Sequence, residues 1–488
     1  MKLKQNVALC TSVLLALSAC KSTDVPLNSE IQVPQTFTQA EAARGSSQIA
    51  QWWQNWHDPV LSQLIEQGLA QSYDVRLAIS RLNEARATSR MAEADLGPTV
   101  GLTGNAGAVR GNVDNPIDDS VRNILSRNPL TSELGDSSKT IKGNNLSAGL
   151  VASWEPDIFG RKRSDADAAK YAALGRQEQV YGAQMLVAGD IADNYFKARA
   201  AQKRLQSANR SVAVLSRMLE YVQGRFKAGH TAAYDVDQTQ SSLAAMKGKQ
   251  STIQAEYASY VRNIAVLTGQ VPQHYSLPAS STDVLAHQPA APSGQTPEGL
   301  LERRPDLRAN AAQVKAYAAK LASAKADLLP RFSINFLGEG ARIGIDGNSD
   351  LTGWASLLSL GISVPIFTNG RIKANIAAAD ARLKTALLSY DQVLLRALGD
   401  VDNAYQAQAA LTRQNALLNT ALGQSSKQAS DAQKLFRYGD ITLDQTLRAE
   451  LNEQSARDNL TLSQLARAQM LVNLYKALGG GWQEAAIR

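Results

Sequence analysis

The chain's soft or titratable ligands amount to four histidines, two cysteines and six methionines. His57, His230, His274 and His287 are far apart, and none has a second ligand at metal-binding spacing. The methionines are scattered, and there is no glycine-rich phosphate loop, no GxSxG and no CxxC. Catalysis is therefore the least supported class. What remains is charge beside two glycines. The first place reads Arg225-Phe226-Lys227-Ala228-Gly229-His230, then Asp235; the second reads Phe436-Arg437-Tyr438-Gly439-Asp440, then Asp444, with Arg448 four residues on. Glycine after a long helical pattern is a left-handed cap, and acids opening the next helix suit its dipole. Beyond that structural role, two such turns offer a surface for a partner, and Asp235 and Asp444 offer carboxylates to line a constriction.

The elements that carry these turns belong to one unit used twice. From Leu301 the chain reads LERRPDLRANAAQVKAYAAKLASAKADLLPRF. Pro305 fits the first turn of a helix, Asp306 its positive end, and Pro330 a stop after Leu329. AlaAspLeuGlyPro at 94–98 answers AlaAspLeuLeuPro at 326–330. Downstream, Gly160 and Gly370, Tyr195 and Tyr405, Gly229 and Gly439, and Gly269 and Gly479 are each 210 positions apart, whereas Pro98 and Pro330 are 232 apart. The difference lies in the loop of the first hairpin, so the long helices should be equal in length. The span from Arg161 to Lys227 predicts a helix of roughly 100 Å, reversed at 226–230 and followed by a return of roughly 50 Å.

Between the helices the period changes to two. Val100, Leu102, Gly104, Ala106 and Ala108 share one face, as do Leu146, Ala148, Leu150, Ala152 and Trp154; Thr103, Asn105, Ser147 and Ser153 share the other. In the second unit Phe332, Ile334 and Phe336 pair with a strand bearing Trp354, Leu358, Leu360, Ile362 and Val364, opposite Ser359, Gly361 and Ser363. A polar loop is expected from about Arg110 to Asn144. Strands with one apolar and one small polar face suit half of a soluble sandwich, or a membrane barrel with lipid outside and water inside. Four strands cannot close a barrel, so membrane placement requires several chains to share one.

The formal net charge of +7 becomes +5 without Lys2 and Lys4, and no basic cluster marks a nucleic-acid partner. Those lysines precede an apolar run, Val7 to Ala19, too short to cross a bilayer. Leu17-Ser18-Ala19-Cys20 resembles the lipobox of bacterial lipoproteins, in which Cys20 is acylated as the mature N-terminus; Lys21 after it favours outer-membrane sorting. Trp52, Trp53 and Trp56 are read as anchors for the N-terminal arm. Aromatics are only 6% of the chain, a composition for closely packed helices. The proline-rich stretch 271–297 is read as a linker wrapping the outside. The expected divisions are a signal at 1–19, an arm at 20–73, a first repeat at 74–270 with its hairpin at 99–156, the linker, a second repeat at 298–480 with its hairpin at 331–365, and a tail at 481–488.

Together the lipobox, WWQNWHDPVLSQLI, the two AlaAspLeu-x-Pro helix ends, LLERRPDLRA, SVPIFTNGRI, LFRYGD and ALGGGW resemble the outer-membrane efflux proteins. These are the TolC-like channels, here in the lipoprotein branch serving resistance-nodulation-division pumps. The resemblance implies a mainly α, internally duplicated fold with a β membrane part: a homotrimer with a shared twelve-stranded β-barrel and an α-barrel across the periplasm, girdled by an equatorial belt. It implies no cofactor beyond a covalent lipid on Cys20. Phe226, Lys227, Gly229, His230, Phe436, Arg437, Tyr438, Gly439 and Asp440 fall at the tips that dock a periplasmic adaptor, itself coupled to an inner-membrane pump. Asp235 holds the family's acidic position; in the second repeat that place is Gln445, with Asp444 one step earlier and Arg448 placed to pair with it. The implied function is a passive exit duct for drugs and other small molecules. A protein-secretion duct and a non-conducting periplasmic scaffold lipoprotein are the alternatives.

Overall fold

The computed structural model describes residues 29, 31–41, 43–114, 118–125, 127, 138–345 and 350–484. Its helices are α1 (Pro59–Gln71), α2 (Tyr73–Ala94), α3 (Asp119–Leu125), α4 (Arg161–Lys227), α5 (Ala233–Leu267), α6 (Pro297–Arg303), α7 (Pro305–Ala326), α8 (Arg371–Tyr438) and α9 (Leu443–Ala477). Strands β1 (Thr99–Asp114), β2 (Ser138–Trp154), β3 (Arg331–Ile345) and β4 (Leu351–Ser363) form a single antiparallel sheet in that order. Two compact units emerge among the described residues: 87–169 with 317–383, and 29–86 with 170–316 and 384–484. Each sequence repeat contributes to both, so the repeats are not the units of packing.

The first unit contains the sheet. Both helices leading into it end earlier than the prolines suggest, α2 at Ala94 and α7 at Ala326. The cause is the same tightening in each: Gly97 N–H bonds to Ala94 C=O at 3.0 Å and Leu329 N–H to Ala326 C=O at 3.0 Å, a three-residue turn before the proline. The polar loop expected from about Arg110 to Asn144 is also shorter. The β1–β2 ladder continues past Arg110↔Lys142 to Asp114↔Ser138, because backbone pairing persists after the apolar alternation has stopped. The sheet leads directly into α4, whose first turn is capped by Asp157, accepting from the N–H groups of Lys162 at 3.1 Å and Arg163 at 2.7 Å.

In the second unit, Trp52 stacks on Tyr475 of α9 at 5.3 Å, and Trp56 packs on Phe196 of α4 at 5.2 Å. All three tryptophans are buried, as anchors of an arm should be. The arm follows α8, with Ser29 donating to Asp391 at 2.7 Å and Phe37 beside Tyr405 at 6.4 Å. The linker follows α4: Lys203 holds Asp283 at 2.5 and 2.7 Å, and Arg199 donates to Pro278 C=O at 2.6 Å. Arm and linker touch where Gly45 N–H bonds to Ala291 C=O at 2.7 Å; a Cβ at Gly45 would lie 2.3 Å from Ala290 O, so the approach requires glycine. The duplicated tyrosines are both buried under this belt, Tyr195 donating to Asp58 at 2.5 Å and Tyr405 to Pro292 C=O at 2.7 Å. Burial first, then the Asp58 hydrogen bond, pushes the Tyr195 phenol up.

Candidate functional site

Each tip is made by the end of a long helix and the start of a short one. At the first, Gly229 takes φ +77°, and the N–H groups of Gly229 and His230 return to Phe226 C=O and Arg225 C=O at 3.0 and 2.9 Å. At the second, Gly439 takes φ +83°, and Gly439 and Asp440 return to Phe436 and Leu435 at 3.0 Å each. These are matched left-handed helix caps. They hold the flanking side chains outward: Phe226, Lys227, His230, Phe436, Arg437, Tyr438 and Asp440 are all exposed, Tyr438 at 82%. Arg225 braces the first tip, donating to His230 C=O at 3.1 Å.

The carboxylates sit just inside. Asp235 is the third residue of α5 and half-buried, receiving a hydrogen bond from the Thr231 hydroxyl. Asp444 is the second residue of α9; Thr442 Oγ1 donates to it at 2.6 Å, and Arg448 Nε lies 3.9 Å away on the same helix face. The acid's absence one step later has a local cause. Gln445 is the third residue of α9, and its side-chain oxygen accepts the Thr442 N–H at 3.0 Å, closing a capping box. Val236 and Leu443, the chain neighbours of the two acids, meet in one apolar cluster. Val214, Met218 and Val222 of α4 receive Val236 of α5 together with Leu443, Leu447 and Leu451 of α9, so the return helices of both repeats pack on one long helix.

Sequence reasoning missed what lies beyond that cluster. A cavity of about 380 Å³ opens between α4, α5 and α9, its lining including Met246, Gln454 and Arg448. Asp458, 8% exposed, accepts from Arg204 Nε at 3.0 Å and from Lys249 Nζ at 2.7 Å, and Arg204 also meets Glu256 at 3.4 Å. Two acids thus balance two cations across three helices. No local pattern announces this, because Asp458 is 254 residues from Arg204.

The sheet offers the second surface. Val100, Leu102, Leu146, Leu150, Trp154, Leu358, Leu360, Ile362 and Trp354 are exposed on one face, Leu102 at 86% and Leu360 at 76%. The register aligns them in rows such as Leu102↔Leu150 and Phe336↔Leu358. The opposite face carries the rows Ser153↔Asn335↔Ser359 and Asn105↔Ser147↔Ala341. It is interrupted by the apolar row Val151↔Leu337↔Leu357, where a purely small and polar face was expected. Among the described residues nothing pairs with the outer edge of β1 or β4. No helix among the described residues is long and apolar enough to cross a membrane. Cys20 lies outside the described residues.

The sequence pattern of the outer membrane efflux protein family matches residues 64–270 and 296–480. Pyoverdine export outer membrane protein OpmQ of Pseudomonas aeruginosa is 29% identical over 484 residues, covering 98% of this chain and 97% of OpmQ. Cation efflux system protein CusC of Escherichia coli is 25% identical over 481 residues, covering 97% and 98%. Among solved structures, the outer-membrane channel OprN superposes with a TM-score of 0.74 at 26% identity, covering 93% of this chain and 98% of OprN. The CmeC outer membrane channel of Campylobacter jejuni shares the fold, with a TM-score of 0.75 at 19% identity over 93% and 94% of the two chains. With the pattern lying on both repeats and the likeness running nearly end to end, the chain belongs to the outer membrane efflux protein family, as a channel component of an efflux system that sits in the outer membrane and extends into the periplasm.

Proposed function

We propose that three copies of the chain close one passive exit duct, their sheets joined into a twelve-stranded barrel. The observation that carries this is the open four-stranded sheet, with unpaired outer edges on β1 and β4 and one face of large exposed apolar residues. Backbone N–H and C=O groups left unpaired in hydrocarbon cost several kcal/mol each, so an edge in lipid demands another chain. In this reading the apolar face meets lipid and the small polar face lines the passage. The tips, Phe226 to His230 and Phe436 to Asp440, dock a periplasmic adaptor coupled to an inner-membrane pump of the resistance-nodulation-division class. Asp235 and Asp444 are the closing groups of the resting tip, with Arg448 restraining Asp444. Relatives named for pyoverdine, toluene and cations are similar to this chain over most of its length, which supports a duct whose cargo of small molecules is selected by the pump. No cofactor takes part, and Cys20 carries the lipid anchor. The test is the mass of the purified protein in detergent together with its conductance in a planar bilayer. Three chains per particle and discrete channel openings are expected; a stable monomer without conductance would end the proposal.

A further inference from the structure

The apolar face of the sheet stops abruptly at its hairpin-loop end. Going outward from Phe332↔Ile362, the face is uncharged as far as the row Ala148↔Gly340↔Trp354, with Trp354 83% exposed. That is about 26 Å along the strand, or about 20 Å along the membrane normal for a strand tilted by about 40°, which fills most of the roughly 25 Å apolar band of outer-membrane barrels and places Trp354 near its aromatic girdle. The next row on this face is Ala106↔Leu146↔Arg342, and two rows further Arg110 stands directly opposite Lys142. All three cations are exposed.

Opposing like charges on one face of an antiparallel pair, with Cβ atoms about 5 Å apart, are destabilising unless an anion lies between them. Among the described side chains, the acid that reaches this group is Asp350. It pairs with Arg342, and its Oδ1 would lie 2.9 Å from a Cβ at Gly344, on the same face. The described side chains here therefore total three positive charges and one negative. Beside Arg342 the small residues Ala106 and Ala108 leave a groove of about 550 Å³, closed by Asn144 and Leu146. With the sheet in the outer membrane as proposed and the helix-bearing strand ends on the periplasmic side, the hairpin-loop ends face the cell exterior, which puts these cations at head-group depth in the outer leaflet.

We propose that Arg110, Lys142 and Arg342 bind the phosphate groups of outer-leaflet glycolipid, one phosphate bridging Arg110 and Lys142. Guanidinium and ammonium groups pair strongly with phosphate and are well placed to do so at a membrane surface. The site rests on the reading of this face as lipid-facing. The test uses the full-length channel in neutral detergent, titrated with diphosphoryl lipid A and with the same lipid stripped of phosphate, and lipid retention is read by native mass spectrometry. The wild type is expected to retain only the phosphorylated lipid. Arg110→Gln with Lys142→Gln and Arg342→Gln should weaken retention about tenfold or more, and the charge-keeping set Arg110→Lys, Lys142→Arg and Arg342→Lys should restore it. Equal retention by the glutamine variant would overturn the site. So would displacement of the lipid by millimolar inorganic phosphate, which would mark a site for small anions. Protease protection of the strands in vesicles separates the two levels. Failure of the wild type to insert overturns the lipid-facing orientation, whereas insertion of both proteins with unchanged retention overturns the phosphate site alone.

Discussion

At the second tip a Cβ on Gly439 would meet nothing within 4 Å, yet the residue's φ is +83°. A side chain there is disfavoured by backbone conformation alone, at about 1–2 kcal/mol, and its bulk would project into the space a partner needs. Gly439→Trp should thus leave membrane insertion and oligomer yield intact while abolishing drug resistance and crosslinking to the adaptor. Unimpaired resistance would remove the tip from the docking surface. The carboxylates make a separate prediction. Asp235→Ala with Asp444→Ala should widen the resting tip, seen as higher single-channel conductance and greater uptake of large antibiotics; unchanged values of both would leave these acids as helix-start residues. The two glycines were plain in the sequence because a glycine between two helical patterns has one common use. The shift from Gln445 to Asp444 was visible too, but its cause was not, since it depends on a hydrogen bond to Thr442 N–H. Asp458 was invisible for a different reason: its partners lie 254 and 209 residues away, and periodicity reports only local order.

Strand faces are where sequence pattern and structure agree most closely, since alternation of two dictates which side chains share a surface. Arg in place of Leu360 or Ile362 should cost roughly 2–4 kcal/mol if near the bilayer midplane and lower the yield of assembled channel. Arg in place of Ser359 or Ser363 should be tolerated, and equal yields from both sets would refute the assignment of faces. The strands' outer ends escaped pattern reading because β1 and β2 go on pairing after their side chains turn polar. The linker supplies a pH effect. Burial raises the Asp283 carboxyl, but hydrogen bonds from Lys203 and from the Ala286 and Leu285 N–H groups outweigh it, holding the carboxyl below its ordinary value. A carboxyl depressed in the fold contributes its stabilisation above the unfolded value, about pH 3.9, and loses it as the pH falls through the folded one. The linker should therefore become cleavable by pepsin below about pH 4. Asp283→Asn should already expose it to neutral proteases; equal resistance of variant and wild type would show that Lys203 is not its anchor.

For the molecule as a whole, the 210-residue offset foretold equal repeats, and α4 and α8 have 67 and 68 residues while α5 and α9 have 35 each. It did not foretell that each repeat divides itself between two compact units, because duplication records ancestry and packing records contact. Membrane attachment should likewise be shared: Cys20→Ala behind a cleavable secretory signal is expected to leave most of the protein in the outer-membrane fraction, and a wholly soluble product would contradict insertion through the strands. One property of the long helices bears on how such a channel operates. None of α4, α5, α8 or α9 contains a proline, so none carries the residue that most often kinks a helix. They are shafts without knuckles. Widening at Gly229 and Gly439 is then expected to come from whole helices turning or sliding against their neighbours, with a torque applied at the tip transmitted along each shaft rather than spent near the point of grip.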